Sequence, residues 1–252
     1  MFDLIDECGK DLKMFGYSEK KCSRYGISVA SLKINSNIKS QQLGLQKGDY
    51  YIINSPFLYS LGKNNEEYLS KLIALKLEEL LKKQGIKKRD NVLIACLGNF
   101  DIEGDRLGKE VFDRVEISTL KQKNNIFKFC PNIFLYTGIE TAQLIKLLVK
   151  QLSIKCVIII DSLLSANINR LGISFQLSSG GMTPGSGMNR FGKAIEEKDI
   201  GAKCITIGVP FMINSKALNE DEREVILVPK DISQNISCAG KVIADAINKV
   251  LL

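Results

Sequence analysis

The sequence contains no histidine and no tryptophan, only five prolines, and no apolar run approaching the roughly 20 residues a membrane-spanning helix needs. Without histidine there can be no Ser/His or Cys/His nucleophile pair and no imidazole general base, and the commonest zinc or nickel ligand is missing. Any catalysis must use other groups. A dense basic block interleaved with aromatics is also lacking. The formal charge of +7 is spread over a lysine-rich chain and reads as a solvated surface rather than a nucleic-acid footprint. Residues 1–20 mix Asp3, Asp6 and Glu7 with lysines and offer no apolar segment of the kind a signal peptide carries. The seven cysteines are odd in number, widely spaced and without a CxxC pair, so reduced thiols in a cytoplasmic protein with no membrane partner are expected. Cys96 and Cys156 fall inside apolar runs and read as core residues rather than nucleophiles.

What the sequence does hold is an alternation of patterns. Residues 26–34 and 49–53 are β-rich runs separated by polar and glycine-containing turns, which predicts a hairpin or small sheet. Residues 66–84 place Leu69, Leu72, Ile73, Leu75, Leu77, Leu80 and Leu81 at helical spacing among Glu and Lys, and Gly85 ends the helix. From Asn91 onward, β runs at 92–97, 133–136, 156–160, 173–177 and 204–207 alternate with helical patterns at 105–118 and 140–151, and a last helix covers about 233–251. The alternation predicts an α/β fold, a mostly parallel sheet flanked by helices with a small N-terminal β-rich elaboration. No linker-like stretch interrupts it. One domain over 1–252 is expected, with 1–60 as its β-rich part.

In open α/β sheets ligands bind beyond the carboxyl ends of the strands, which singles out three segments. Residues 97–108 follow a β run and carry Asp105 ahead of a helix; residues 156–163 form an apolar run that ends abruptly in Asp161; residues 180–187 are glycine-rich. Each has a plainer role. Either aspartate suits a helix N-cap, and the glycine-rich segment suits a wide turn, or a phosphate cradle that lacks a Walker pattern. Two carboxylates at the ends of neighbouring parallel strands can nevertheless do more than either alone. Within a few ångströms of each other, repulsion and burial keep one protonated, so one activates water and the other donates to a departing amine. That is an acid/base pair without histidine, metal or cofactor.

At these segments the chain resembles the germination protease family, spore endopeptidases that degrade small acid-soluble spore proteins. The family pattern GLGN…TPDALGP is similar to Leu97-Gly98-Asn99 followed by Gly104-Asp105-Arg106-Leu107-Gly108; TGIET stands intact from Thr137 to Thr141; IDALAARS is similar to the segment from Ile160 to Asn167; PGSG stands at Pro184-Gly185-Ser186-Gly187; and IGVPT is close to Ile207-Gly208-Val209-Pro210-Phe211. The resemblance implies that Asp105 and Asp161 are the catalytic pair, and that Asn99, Glu140, Thr141, Gly185 and Ser186 bind substrate or shape its loops. It also implies metal-free peptide hydrolysis by a homotetramer in the spore core.

The departures lie around the pair. Gly104 replaces the proline of TPDALG, Ala166 the arginine of IDALAARS, Ser179 an aspartate and Thr183 a histidine of the segment leading into PGSG. Two other readings follow. A catalytically altered paralogue would keep the scaffold to bind peptides or to assemble. The GN…GD.LG spacing also resembles hydrogenase maturation peptidases, a related phosphorylase/hydrolase-like group whose metal recognition uses a histidine this chain lacks.

Overall fold

The computed structural model describes residues 4–8, 10–22, 25–56, 62–117, 125–185, 193–215 and 225–252. The N-terminal part contains β1 (Ser18–Lys21), β2 (Ser28–Ile34), α1 (Asn37–Leu43), β3 (Gly48–Asn54) and the long α2 (Lys63–Lys83). Next come β4 (Val92–Cys96), α3 (Leu107–Arg114), β5 (Ile126–Phe129), the short α4 (Phe134–Thr137) and α5 (Thr141–Gln151). The chain continues with β6 (Cys156–Ser165), β7 (Ser174–Ser178), α6 (Glu197–Ile200), β8 (Lys203–Asn214), β9 (Ile226–Leu227) and α7 (Ile232–Leu251).

The described strands form one sheet in the order β1-β2-β3-β7-β8-β6-β4-β5, with β9 on the end of β8. Strands β5, β4, β6 and β8 run parallel, as the alternating segment predicts for an α/β fold. The β-rich N-terminal part is an antiparallel hairpin of β2 and β3, edged by β1, and it is joined to the main sheet through β7. Its open edge at β3 finds partners from Tyr50 opposite Ser178 to Asn54 opposite Ser174, so the whole sheet is mixed.

Three local expectations change. The pattern predicts a strand at 133–136, but the strand at that point in the order is β5, whose Ile126 pairs with Val92. After it Pro131 has no N–H to donate and Asn132 turns the chain at a φ of 62°, so 134–137 becomes a helical turn. The apolar run expected to stop at Asp161 instead continues as strand to Ser165, because β8 offers partners from Gly208, opposite Asp161, to Ile213, opposite Ser165. Ladder bonds there override the helix propensity of the Leu-Leu-Ser-Ala stretch. The helix expected from Asp105 begins at Leu107.

Strand alternation divides the core between two faces. Val92, Ile94 and Cys96 point to a cluster covered by α2, α3 and α7, with Ile73, Leu77, Val242 and Ile243 fully buried in it. Leu93, Ala95 and Leu97 point the other way, into a cluster with Ile145 and Val149 of α5 and Ile200 of α6. That second face carries another cluster further along the sheet, made by Ile5, Leu12, Leu32, Leu43 and Ile52. Between these two clusters the face also carries polar side chains, Asp161, Gln176, Ser178 and Thr206.

Helix α2 forms because its buried residues recur at helical spacing, while Glu67 with Lys71 and Glu78 with Lys82 pair on the exposed side. It is stapled to β3 by a polar knot: Tyr51 donates to Glu79, Lys83 donates to Tyr51 at 2.8 Å and pairs with Asp49 at 3.0 Å, and Lys76 reaches Glu79 at 2.9 Å. Partial burial opposes the charge on Glu79, but the hydrogen bonds from Tyr51, Lys76 and Lys83 outweigh it and hold its pKa at about 2. A depressed folded-state value means that this contribution is complete above the ordinary carboxyl pKa of about 4.3 and is lost as pH falls through it towards 2. Urea midpoints measured across that window should fall with acid in the native protein and fall less in Glu79→Gln. Equal slopes would show that the knot adds nothing.

Candidate active site

The turn after β4 is built on two glycines. Gly98 has a φ of 128°, and a Cβ on it would lie 2.1 Å from the Asp105 carbonyl oxygen; a Cβ on Gly108 would lie 2.0 Å from the Leu97 carbonyl oxygen. Backbone is thus packed on backbone, with the first turn of α3 resting on the strand end. The 3₁₀ turn Glu103–Asp105 brings Asp105 back onto this strand end, where its Oδ2 accepts the N–H of Asn99 at 2.8 Å. Asp105 is only 5% exposed. Arg106 rather than Asp105 stands at the N-cap of α3. Gly104, where the family resemblance expects proline, has its Cβ space filled by Met212 Cγ at 2.7 Å and Val228 Cγ1 at 2.9 Å.

Asp161 lies beside the same turn on the neighbouring strand. Cys96 pairs with Ile160, and the Leu97 N–H donates to the Ile160 carbonyl at 2.8 Å, so Asp161 is the next residue along β6. The following residue contacts the start of α3, the Leu107 N–H approaching Ser162 Oγ at 3.4 Å. Asp161 Oδ1 accepts the N–H of Ser162 at 3.1 Å, and Asp161 is 7% exposed. Both aspartates therefore stand, nearly buried, at the carboxyl end of β4.

Asp161 opens onto a cleft of about 140 Å³ on the second face of the sheet, in the gap between the two apolar clusters. Asp105 is not among its lining residues. The floor is a polar strip: Asp161, Gly208 and Gln176 lie opposite one another on β6, β8 and β7, and Thr206 and Ser178 form the next row, their hydroxyls 2.7 Å apart. Gly208 has no side chain, and Leu163 occupies the space where its Cβ would be, 2.6 Å away at Cγ. Tyr50 forms one wall and donates to the Gln46 carbonyl at 2.7 Å. Burial, with Glu196 nearby, pushes its hydroxyl pKa up, so it remains a protonated donor. The N-terminal Ile5 gives its N–H to Gln176 Oε1 at 2.9 Å. Gln176, Ser178 and Thr206 were missed in the sequence, although their signal was there as polar residues at period two in runs otherwise apolar enough to be core.

The remaining expected residues fall at the same edge of the sheet or nearby. Asn99 holds Asp105 directly. Glu140 and Thr141 start α5, which leaves the carboxyl end of β5 and returns to the beginning of β6; the Glu140 carbonyl accepts from Gln143 at 2.9 Å. Gly185 occupies a turn with a φ of 71°, just past Thr183 of the cleft wall. Ser186 lies outside the described residues. In the described part of the glycine-rich segment, Gly180 and Gly181 serve close packing, a Cβ on them falling 2.7 Å from the Tyr50 hydroxyl and 2.5 Å from the Ile195 carbonyl. Among the described residues no three His, Cys, Asp or Glu side chains converge to hold a metal ion, and no helix is long and apolar enough to cross a membrane.

The site thus joins a buried aspartate pinned by the Asn99 backbone, a second one on the adjoining strand and a cleft with a polar floor beside it. A sequence model described as germination protease matches residues 6–235. The germination protease of Caldanaerobacter subterraneus subsp. tengcongensis is 30% identical over 92% of this chain and 73% of its own length. That of Oceanobacillus iheyensis is 28% identical over 86% of this chain and 62% of its own length, and that of Clostridium perfringens (strain ATCC 13124) 26% identical over 92% and 73%. The chain thus spans between three fifths and three quarters of these relatives. Among solved structures, the [NiFe] hydrogenase maturation protease HycI from Thermococcus kodakarensis is 14% identical, covering 70% of this chain and 98% of that one with a TM-score of 0.42. With the family pattern followed along nearly the whole sequence, from the N-terminal segment into the last helix, this chain belongs to the germination protease family.

Proposed function

We propose that this protein is an endopeptidase that hydrolyses small acid-soluble spore proteins during germination, with Asp105 and Asp161 as its acid/base pair. The observation that carries this reading is the placement of two nearly buried carboxyls on one strand end, one pinned by the Asn99 N–H and the other facing a cleft with a polar floor. Two neighbouring carboxyls out of bulk water share a proton more readily than they both ionise. The ionised member takes a proton from water as its oxygen attacks the peptide carbonyl. The protonated member donates to the amine nitrogen as the C–N bond breaks. Gln176, Ser178 and Thr206 supply hydrogen-bond partners for the peptide. A homotetramer in the spore core completes the proposal.

The test is direct. Purified protein is incubated with small acid-soluble spore proteins and the products are read by mass spectrometry; discrete internal cleavage is the expected result, and intact substrate refutes the assignment. A second reading, an altered paralogue that binds peptide without cutting it, draws on the departures around the pair. Just past the last β3–β7 pair Ser179 Oγ accepts the Asp49 N–H at 3.0 Å, while the Ala166 N–H is taken by Glu7 at 2.7 Å. Capture of the same substrates without product would favour it.

A further inference from the structure

Two thiols lie together where the catalytic turn begins. Strands β4 and β5 are parallel and their last ladder pair is Ala95 with Phe129, so Cys96, the last residue of β4, and Cys130, the residue that follows β5, come next to one another one step further. Cys96 belongs to the cluster under α3, and Cys130 packs against it. Neighbouring strands run about 4.8 Å apart, which lies within the range of Cα separations that a disulfide spans. Cys96 is fully buried, Cys130 is only half-buried, and both are free.

We propose that Cys96 and Cys130 form a redox-sensitive dithiol that a small-molecule disulfide closes into a cross-link. The less buried partner reacts first: the Cys130 thiolate attacks one sulfur of oxidised glutathione, forming a mixed disulfide and releasing one glutathione thiolate. The Cys96 thiolate then attacks the Cys130 sulfur and expels the second glutathione, so that two thiols and one disulfide become one protein disulfide and two glutathiones, with the two thiol protons passing to solvent and the glutathione thiolates. The pair has leverage. Cys96 precedes Leu97, and the Gly108 backbone rests on the Leu97 carbonyl with no room for a methyl group. A cross-link that draws Cys96 towards Cys130 therefore displaces the first turn of α3 and, with it, the segment that holds Asp105.

Burial pushes the Cys130 thiol up to about 11; Lys109 and Lys128 pull it down and Asp113 pushes it up, while Cys96 lies beside it. The closing reaction should therefore be slow at neutral pH and quicken as pH rises.

The experiment treats the folded 252-residue chain with oxidised glutathione, quenches with acid, and maps peptides without reduction. The expected product is a peptide pair joining Cys96 to Cys130, two hydrogens lighter than the separate thiols, absent from Cys130→Ser and reversed by dithiothreitol. Glutathione adducts on Cys8, Cys22, Cys130 or Cys238 without that link would overturn the proposal, as would a link that forms only in urea. The consequence for activity rests on the peptidase reading and is measured separately. Oxidised protein should cleave more slowly than reduced protein, and Cys130→Ser should cleave at an unchanged rate in both conditions. A fully formed link with undiminished cleavage overturns the leverage argument alone, and absent cleavage in the reduced protein overturns only the peptidase reading.

Discussion

Asp161→Asn is expected to give a protein that folds, binds its substrate and no longer cuts it, and Asp105→Asn to do the same. The substitutions are nearly isosteric, and each keeps the contact that holds the side chain in place. In Asp105→Asn the new amide oxygen can still accept the Asn99 N–H that Asp105 Oδ2 accepts at 2.8 Å, and in Asp161→Asn it can still accept the Ser162 N–H that lies 3.1 Å from Asp161 Oδ1. What each loses is the ability to take or give a proton. Positioned general acid/base groups contribute about 10²–10⁴-fold each, so turnover should drop by at least that factor in either variant. Residues that act as a unit are grossly non-additive, and the double variant should be little worse than the worse single one. Product quantified over time, beside circular dichroism and urea midpoints to confirm the fold, decides the matter. Cleavage by either variant within a few-fold of the native rate would remove that aspartate from the mechanism.

Gly98→Ala should damage the same site without touching either carboxyl. At a φ of 128° an alanine is strained whatever its surroundings, and here the new methyl carbon would also lie 2.1 Å from the Asp105 carbonyl oxygen. The obstacle is backbone, which cannot swing aside as a side chain can. Either the 3₁₀ turn Glu103–Asp105 lifts off the strand end or Gly98 changes conformation, and both separate Asp105 from the Asn99 N–H. A loss of roughly 2–4 kcal/mol of stability is expected, since a strained φ alone costs of order 1–3 kcal/mol and a lost buried hydrogen bond adds to it. Gly62→Ala is the control, because a Cβ there meets nothing within 4 Å. If Gly98→Ala matched the control in both urea midpoint and cleavage, the close packing of this turn would not matter.

Much of the fold could be read from periodicity because most elements bury one face. Residues 66–84 give α2 within a few positions, since Leu69, Ile73, Leu77 and Leu80 are all fully buried on one side. Three of the four parallel strands, β4, β6 and β8, were legible for the same reason, whereas β5 at Ile126–Phe129 was expected at 133–136. The run from Cys156 was harder. Its first residues are apolar on both faces, and Asp161 looked like a terminus because a carboxylate in the middle of a buried strand is costly unless something near it is polar. The polar neighbours are on other strands, Gln176 on β7 and Thr206 on β8, so the reason for tolerating Asp161 was written in three places far apart in the chain. The antiparallel junction of β3 with β7 was illegible for a related reason: its partners are about 125 residues apart, and neither strand carries a mark of the other. Motif order located Asp105 and Asp161, but not the cleft on which Asp161 opens.

The division of the second face into two apolar clusters separated by a polar strip bears on how such a protein can diverge. One wall of the cleft is anchored in the packing of α5 and α6, the other in that of α1 and the β2–β3 hairpin, and the strip between them is held by the ladders of β6, β7 and β8. The walls meet where Gln46 donates to Glu196 at 2.6 Å and where Gly180 packs on the Tyr50 hydroxyl, so changes in side-chain size away from those contacts are expected to relax within their own cluster, while changes at them are felt on both sides. If the cleft holds the peptide as proposed, its two sides can be altered separately except along that shared seam.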